Sequence, residues 1–204
     1  MGVDKPAPGE ELNTGTVTTP RDAATVIVLR GGPDALEVLL VKRNPEQRFM
    51  GGAWVFPGGA VDADEDSRVA GVREVLEEAA VSLPDAEALI EFSRWITPAQ
   101  VKIRFDTRFY LVASPADAAP EVDGEECVDI GWFSPEGALE AYEREEILLV
   151  FPTIKTLEQL APFESASAIL AWASGREVVP IEPQVVVEGE VARVVLPGEP
   201  GYVA

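Results

Sequence analysis

Apolar, β-branched runs alternate along the chain with polar stretches rich in Gly, Pro and Asp. ATVIVLR (24–30) and LEVLLVKR (36–43) flank the turn-forming GGPDA and predict two strands joined by a turn. AWVFP (53–57) predicts a further short strand, ended by Pro57 and Gly58-Gly59. From 67 to 80 the period lengthens to that of a helix. Val69, Val72, Val75, Leu76 and Ala79 form one stripe, with Asp66 or Ser67 as N-cap and Pro84 just beyond the end. Strands are predicted over 90–97, 103–114 and 127–134, with the acidic loop PADAAPEVDGEE before the last of them.

A helix beginning at Pro135 is predicted over 135–145, and two more over 152–174, broken at Pro162. The segment from Arg176 onward reads as short strands with turns at Pro183 and Glu188-Gly189. Residues 1–20, polar and rich in Pro, Gly and Thr, read as a flexible tail. Residues 21–174 read as one domain, and 175–204 as a strand extension. That extension is either a dimer arm, hence a possible homodimer, or a strand pair packed on the domain. Short strands mixed with a central helix predict an α/β fold around a mixed sheet.

Composition narrows the chemistry. The chain of 204 residues is 47% hydrophobic, enough for one core. Its net charge of −20 disfavours nucleic acid and anionic membrane as partners. There is no histidine, which removes Ser-His-Asp and Cys-His catalysis and His-bearing zinc sites. The single Cys127 forms no internal disulfide and reads as a small buried residue. No apolar run reaches membrane length and no basic leader precedes one, so a cytoplasmic enzyme is the expectation. Any metal should be a hard cation on oxygen ligands.

Glu74, Glu77 and Glu78 are spaced i, i+3, i+4, which on a helix places them on one face with Cβ atoms about 5–6 Å apart. Like charges at that spacing repel. Arg73 supplies one positive charge; a divalent cation supplies two, and Mg²⁺ or Mn²⁺ prefers carboxylate oxygens. A plain solvated acidic face is the alternative.

The surrounding stretch FPGGAVDADEDSRVAGVREVLEEAAV resembles the Nudix hydrolase signature: Gly, five residues, Glu, seven residues, Arg-Glu, aliphatic, any, Glu-Glu, any, Gly, aliphatic. Gly59, Glu65, Arg73-Glu74, Val75, Glu77-Glu78 and Val81 match it; the late Gly is Ala80. The resemblance implies a Nudix fold, an α/β/α sandwich around a mixed β-sheet, with the box as a loop-helix-loop that binds divalent ions. It implies Glu74, Glu77, Glu78 and the Gly59 carbonyl as metal ligands, with Glu77 and Glu78 catalytic. It implies Arg73 and Glu65 as the pair bracing the loop against the helix. The implied reaction is hydrolysis of the pyrophosphate in a nucleoside diphosphate derivative by a metal-activated water. With no histidine the general base is a carboxylate, and Glu125 and Glu126 are candidates.

LLVKRNPEQRFMGGAWVFPGG (39–59) also resembles the motif of coenzyme A-type Nudix hydrolases, with Val41 in place of Thr and Asn44 in place of Ser. Arg43 and Arg48 would then face the 3′,5′-ADP end, where phosphates favour guanidinium forks. Seven of the sixteen Lys and Arg lie in 42–48 and 94–108. Among them Lys102, Arg104 and Arg108 share one side of a predicted strand, so Arg104 and Arg108 are candidate substrate-binding residues. The resemblance covers roughly 22–173. It points to hydrolysis of CoA or acyl-CoA to 3′,5′-ADP and a 4′-phosphopantetheine product. Alternatives are ADP-ribose or NADH as substrate, and a non-catalytic module that senses a nucleotide or binds a partner; the three intact glutamates argue against the last.

Overall fold

The computed structural model describes residues 12, 13, 15–188 and 191–203. The strands are β1 (Arg21–Arg30), β2 (Glu37–Arg43), β3 (Ala53–Val55), β4 (Gly58–Ala60), β5 (Ile90–Ile96), β6 (Phe105–Ala113), β7 (Cys127–Phe133), β8 (Leu148–Leu149), β9 (Gln184–Glu188) and β10 (Val191–Val195). The helices are α1 (Ser67–Ala79), α2 (Pro135–Glu143), α3 (Phe151–Leu160) and α4 (Ala166–Ala173). Strands β1 to β8 form one mixed sheet; β1 runs parallel to β6 and β3 parallel to β8, and the other pairs are antiparallel.

Side-chain alternation splits the core in two. Ala24, Val26 and Val28 of β1 pack against Ala70, Val75 and Ala79 of α1. Ile27 and Leu29 pack on the opposite face with Leu157 of α3 and Ile169 of α4. Full burial of each large aliphatic side chain stabilises the fold by about 1.5–3 kcal/mol. Helices therefore cover both faces, in the α/β/α arrangement that was expected.

The sheet forks. β1 and β2 are in register only at Leu29↔Val38 and Arg30↔Glu37, beside their turn. Away from it, β1 takes β4 and β6 as partners, while β2 takes β3 and β7. The diverging strands leave a cleft, bridged by the Phe56-Pro57-Gly58-Gly59 connection.

The α1 stripe needs correction. Val69 and Leu76 are 48% and 51% exposed, whereas Ala70, Gly71, Val75, Glu78 and Ala79 are buried. A Cβ at Gly71 would crowd Val26 Cγ2 at 2.8 Å, so small residues set this face by letting the helix lie close to the sheet. The same rotation carries Glu78 inward.

At the exit of α1, Ala80 adopts the left-handed conformation (φ 53°, ψ 25°) that glycine favours, and its N–H still closes onto Leu76 O at 3.1 Å. Ala80 is exposed, so glycine there loses little packing. Ala80→Gly is expected to raise stability by about 0.5–1 kcal/mol, the relieved strain exceeding the added flexibility of the unfolded chain. Urea melts test this, and a loss of stability would contradict it.

Both ends of the described chain are anchored. Leu12 bridges to Val101, Asn13 N–H donates to Gln100 O (2.6 Å), and Thr18 Oγ1 donates to Lys102 O (2.9 Å). Residues 1–11 and 14 of the expected tail lie outside the described residues. β9 and β10 pair with each other, and their stalk docks on β5 through reciprocal bonds, Ile96 N–H to Ile181 O and Ile181 N–H to Arg94 O, both 2.8 Å. Val195 is fully buried, so this pair packs on its own domain. The expected turn at Gly189 lies outside the described residues. Among these, no helix is long and apolar enough to cross a membrane.

Candidate active site

A cavity of about 970 Å³ opens in the fork of the sheet. Its wall includes Glu74, Glu77 and Glu78 of α1, Gly58 and Gly59 of β4, and Asp123, Glu125 and Glu126 from the loop before β7. Aromatic and aliphatic side chains, among them Phe49, Met50, Phe56, Trp95 and Phe151, supply much of the rest.

Glu78 is 3% exposed and accepts a hydrogen bond from Gly58 N–H at 2.9 Å. Arg43 Nη1 is its nearest counterion, 3.8 Å from Oε1. Burial pushes its carboxyl up to about 7, against the pull of the Gly58 N–H and Arg43; Glu74 and Glu126 raise it further. Burial also raises Glu74, although Arg73 donates to it at 2.7 Å; Glu77 and Glu126 add to the rise. Glu77 and Glu78 occupy the last turn of α1, where the helix dipole is negative and no basic side chain compensates it.

Arg73 organises the loop. Its Nε and Nη2 grip Glu65 at 3.1 and 2.9 Å, and Nη2 also reaches Ala60 O at 3.1 Å. That grip holds Glu65 below the usual carboxylate range. Arg73 Nη1 meanwhile bridges Glu74 at 2.7 Å and Glu77 at 3.1 Å. Gly59 is pressed against the Glu74 carboxylate, and a Cβ there would collide with it.

These residues suit a hard divalent cation. Burial holds the carboxyls of Glu78 and the half-buried Glu74 toward their protonated forms against the pull of Arg43 and Arg73, Glu126 of the 123–127 loop raises both further, and the donors are all oxygens. As the side chains stand, no three acidic groups among the described residues converge on one point. Glu77, 58% exposed and held by Arg73, is the carboxylate with room to rotate into such a site.

The family of described NUDIX domains matches residues 19–153 of the chain. The chain belongs to the Nudix family. A Caenorhabditis elegans relative assigned to the nudix hydrolases is 27% identical over 186 residues, covering 72% of this chain and 63% of its own. Human acyl-coenzyme A diphosphatase NUDT19 is 32% identical over 126 residues, covering 58% of this chain and 33% of its own. The chain thus spans less than two thirds of the length of either relative. A solved NUDIX hydrolase from Alicyclobacillus acidocaldarius superposes with a TM-score of 0.68 at 26% identity, over 76% of this chain and 97% of that one.

Within the Nudix scaffold the expected arginines separate. Arg43 lines the cavity. Arg48 is exposed and is not part of the wall. Arg104 is a correction: the chain bends at 102–103 and β6 starts only at Phe105, so strand parity does not extend back to it. Its guanidinium is enclosed by Thr97 O (2.9 Å), Thr18 O (2.8 Å) and Glu182 (2.7 Å), where it fastens three distant segments together. Arg108 is a second correction. Phe105, Thr107 and Phe109 of β6 face the cavity, so Arg108 points to the α1 side and pairs with Glu91 at 3.1 Å.

Three contributors were not foreseen. Asp123 Oδ atoms accept N–H bonds from Glu126 (2.8 Å) and Cys127 (2.9 Å), which fixes the loop bearing Glu125 and Glu126. Burial would raise this carboxyl, and its backbone bonds outweigh that and hold it low. Its only sequence signal is the Asp-Gly pair. Asn44 ties the same loop to β2, through Nδ2 to Glu125 O at 2.9 Å and its backbone N–H to Glu126 O at 2.8 Å. Arg21 also lines the cavity. Cys127 is fully buried, and burial pushes its thiol far up, as suits a packing residue.

Proposed function

We propose that the chain is a divalent-metal-dependent pyrophosphohydrolase that cleaves CoA or acyl-CoA to 3′,5′-ADP and the (acyl-)4′-phosphopantetheine, with Mg²⁺ or Mn²⁺ as cofactor. The observation that carries this reading is one cavity with two chemistries: carboxylates at the Gly58-Gly59 end, and a broad aromatic wall elsewhere. The first suits a metal-bound pyrophosphate; the second suits a long, largely uncharged arm. The 32% identity to an acyl-coenzyme A diphosphatase supports the same substrate class.

Glu74, Glu77 and Glu78, with the Gly59 backbone beside them, would hold the ion. When bound, such an ion offsets charge on phosphate oxygens and lowers the pKa of its water. Glu125 and Glu126, on a loop positioned by Asp123 and Asn44, would supply the carboxylate that accepts a proton from the attacking water. Arg43 faces the phosphate oxygens from the β2 side, and the aromatic wall excludes bulk water.

The test is a panel of CoA, acyl-CoA, NADH and ADP-ribose with each metal and with chelator. CoA or its thioesters should be cleaved fastest, and chelator should abolish turnover until Mg²⁺ or Mn²⁺ is returned. Faster hydrolysis of ADP-ribose or NADH would overturn the substrate, and chelator-resistant hydrolysis would overturn the metal chemistry.

A further inference from the structure

The cavity floor is a ladder of alternate residues. Arg21, Ala23 and Thr25 of β1 line it, and each is paired in register with a lining residue of β6: Phe105, Thr107 and Phe109. At one end of this ladder Thr25 lies opposite Gly58, whose N–H holds Glu78. Arg21 marks the other end, four residues along the strand and so about 13 Å away by backbone.

Three arginines line the cavity. Arg43 lies near Glu78, and Arg73 is shared by Glu65, Glu74 and Glu77. Arg21 has no carboxylate partner among the described residues. Its neighbour Asp22 alternates to the opposite face, where it acts on Arg94. Instead, the Arg21 guanidinium stacks over the Phe105 ring, 4.9 Å from its centroid. Phe49 braces that ring at 6.0 Å. In a chain of net charge −20, a cation unmatched by acid among the described residues and pre-oriented on an aromatic face is a ready anion receptor.

We propose that Arg21 is a specificity residue that receives a phosphomonoester of the substrate, at the end of the cavity away from Gly58 and Glu78. It therefore selects 3′-phosphorylated nucleotides. This rests on the reading of the site as a nucleoside diphosphate hydrolase, and it assigns to Arg21 a contact with the 3′,5′-ADP end that the sequence led us to expect of Arg43 and Arg48. The stacked guanidinium presents its N–H edge to phosphate oxygens, a charge-assisted fork that a ligand lacking the 3′-phosphate leaves unused.

The experiment compares wild type, Arg21→Gln and Arg21→Lys in two ways. Titration calorimetry gives affinities for 3′,5′-ADP and 5′-AMP; kinetics gives KM for CoA and dephospho-CoA. The wild type should prefer the 3′-phosphorylated member of each pair by about tenfold or more, the size of one charge-assisted contact. Arg21→Gln should reduce that preference to under about twofold, with Arg21→Lys between and more sensitive to salt. An unchanged preference in Arg21→Gln, or no preference in the wild type, overturns the proposal. If neither CoA nor dephospho-CoA is cleaved, the activity reading fails, while the two nucleotide affinities still decide the role of Arg21.

Discussion

Glu78→Gln should lower kcat by about a thousandfold while the protein remains folded, because an ion clamped on the reacting phosphate contributes several kcal/mol to the transition state. The same substitution carries a second signature in the chelated protein. The Glu78 carboxyl is raised from 4.5 to about 7 on folding. A raised folded value means that its contribution to stability is fully present below about pH 4.5 and is lost as pH climbs through 7. The loss is about 3 kcal/mol, and Glu74, also raised by burial, acts in the same direction. Chelated wild type should therefore melt at a lower temperature at pH 8 than at pH 5. Glu78→Gln, neutral throughout, should flatten most of that slope. Mn²⁺ should restore the wild type at pH 8 by supplying the missing charge, and should bind more tightly as Glu78 loses its proton. Chelated wild type that melts independently of pH, or a variant with undiminished turnover, contradicts the assignment.

The two glycines before the helix should fail in different ways. A Cβ at Gly58 meets the Ala24 carbonyl and Thr25 Cα, main-chain atoms of a buried strand that cannot step aside. Gly58→Ala should therefore cost about 1–3 kcal/mol in overpacking and also shift the N–H that orients Glu78. The atoms nearest a Cβ at Gly59 are those of the Glu74 carboxylate, the movable end of a side chain. Gly59→Ala should keep its stability within about 1 kcal/mol yet lose Mn²⁺ affinity by roughly tenfold to a hundredfold, the scale seen when a ligand's support is disturbed. Denaturant melts and Mn²⁺ titrations of the pair separate the two. Matching behaviour in both assays would sink this account.

The carboxylate end of the cavity was legible because its information is local. Gly59, Glu65, Arg73, Glu74, Glu77 and Glu78 lie within one loop and one helix, so fixed spacing carries their geometry. The long strands were legible from β-branched runs, but β4 and β8, of three and two residues, fall below any window in which alternation can be counted. The stripe on α1 misled because periodicity weighs hydrophobicity, whereas Gly71 and Ala70 set the contact by size. Arg104 and Arg108 misled because parity depends on where a strand begins, and the bend before Phe105 leaves Arg104 outside it. Arg21 owes its position to its pairing with Phe105, far along the chain, and Asp123 to the bonds of a folded loop, neither of which a local pattern records.

The division of β1 and β6 into alternate positions has an evolutionary corollary. One set of side chains touches whatever enters the cleft; the other set beds the glutamate-bearing helix. Ligand preference can thus drift by exchange at every second position while the helix that carries the glutamates keeps its foundation.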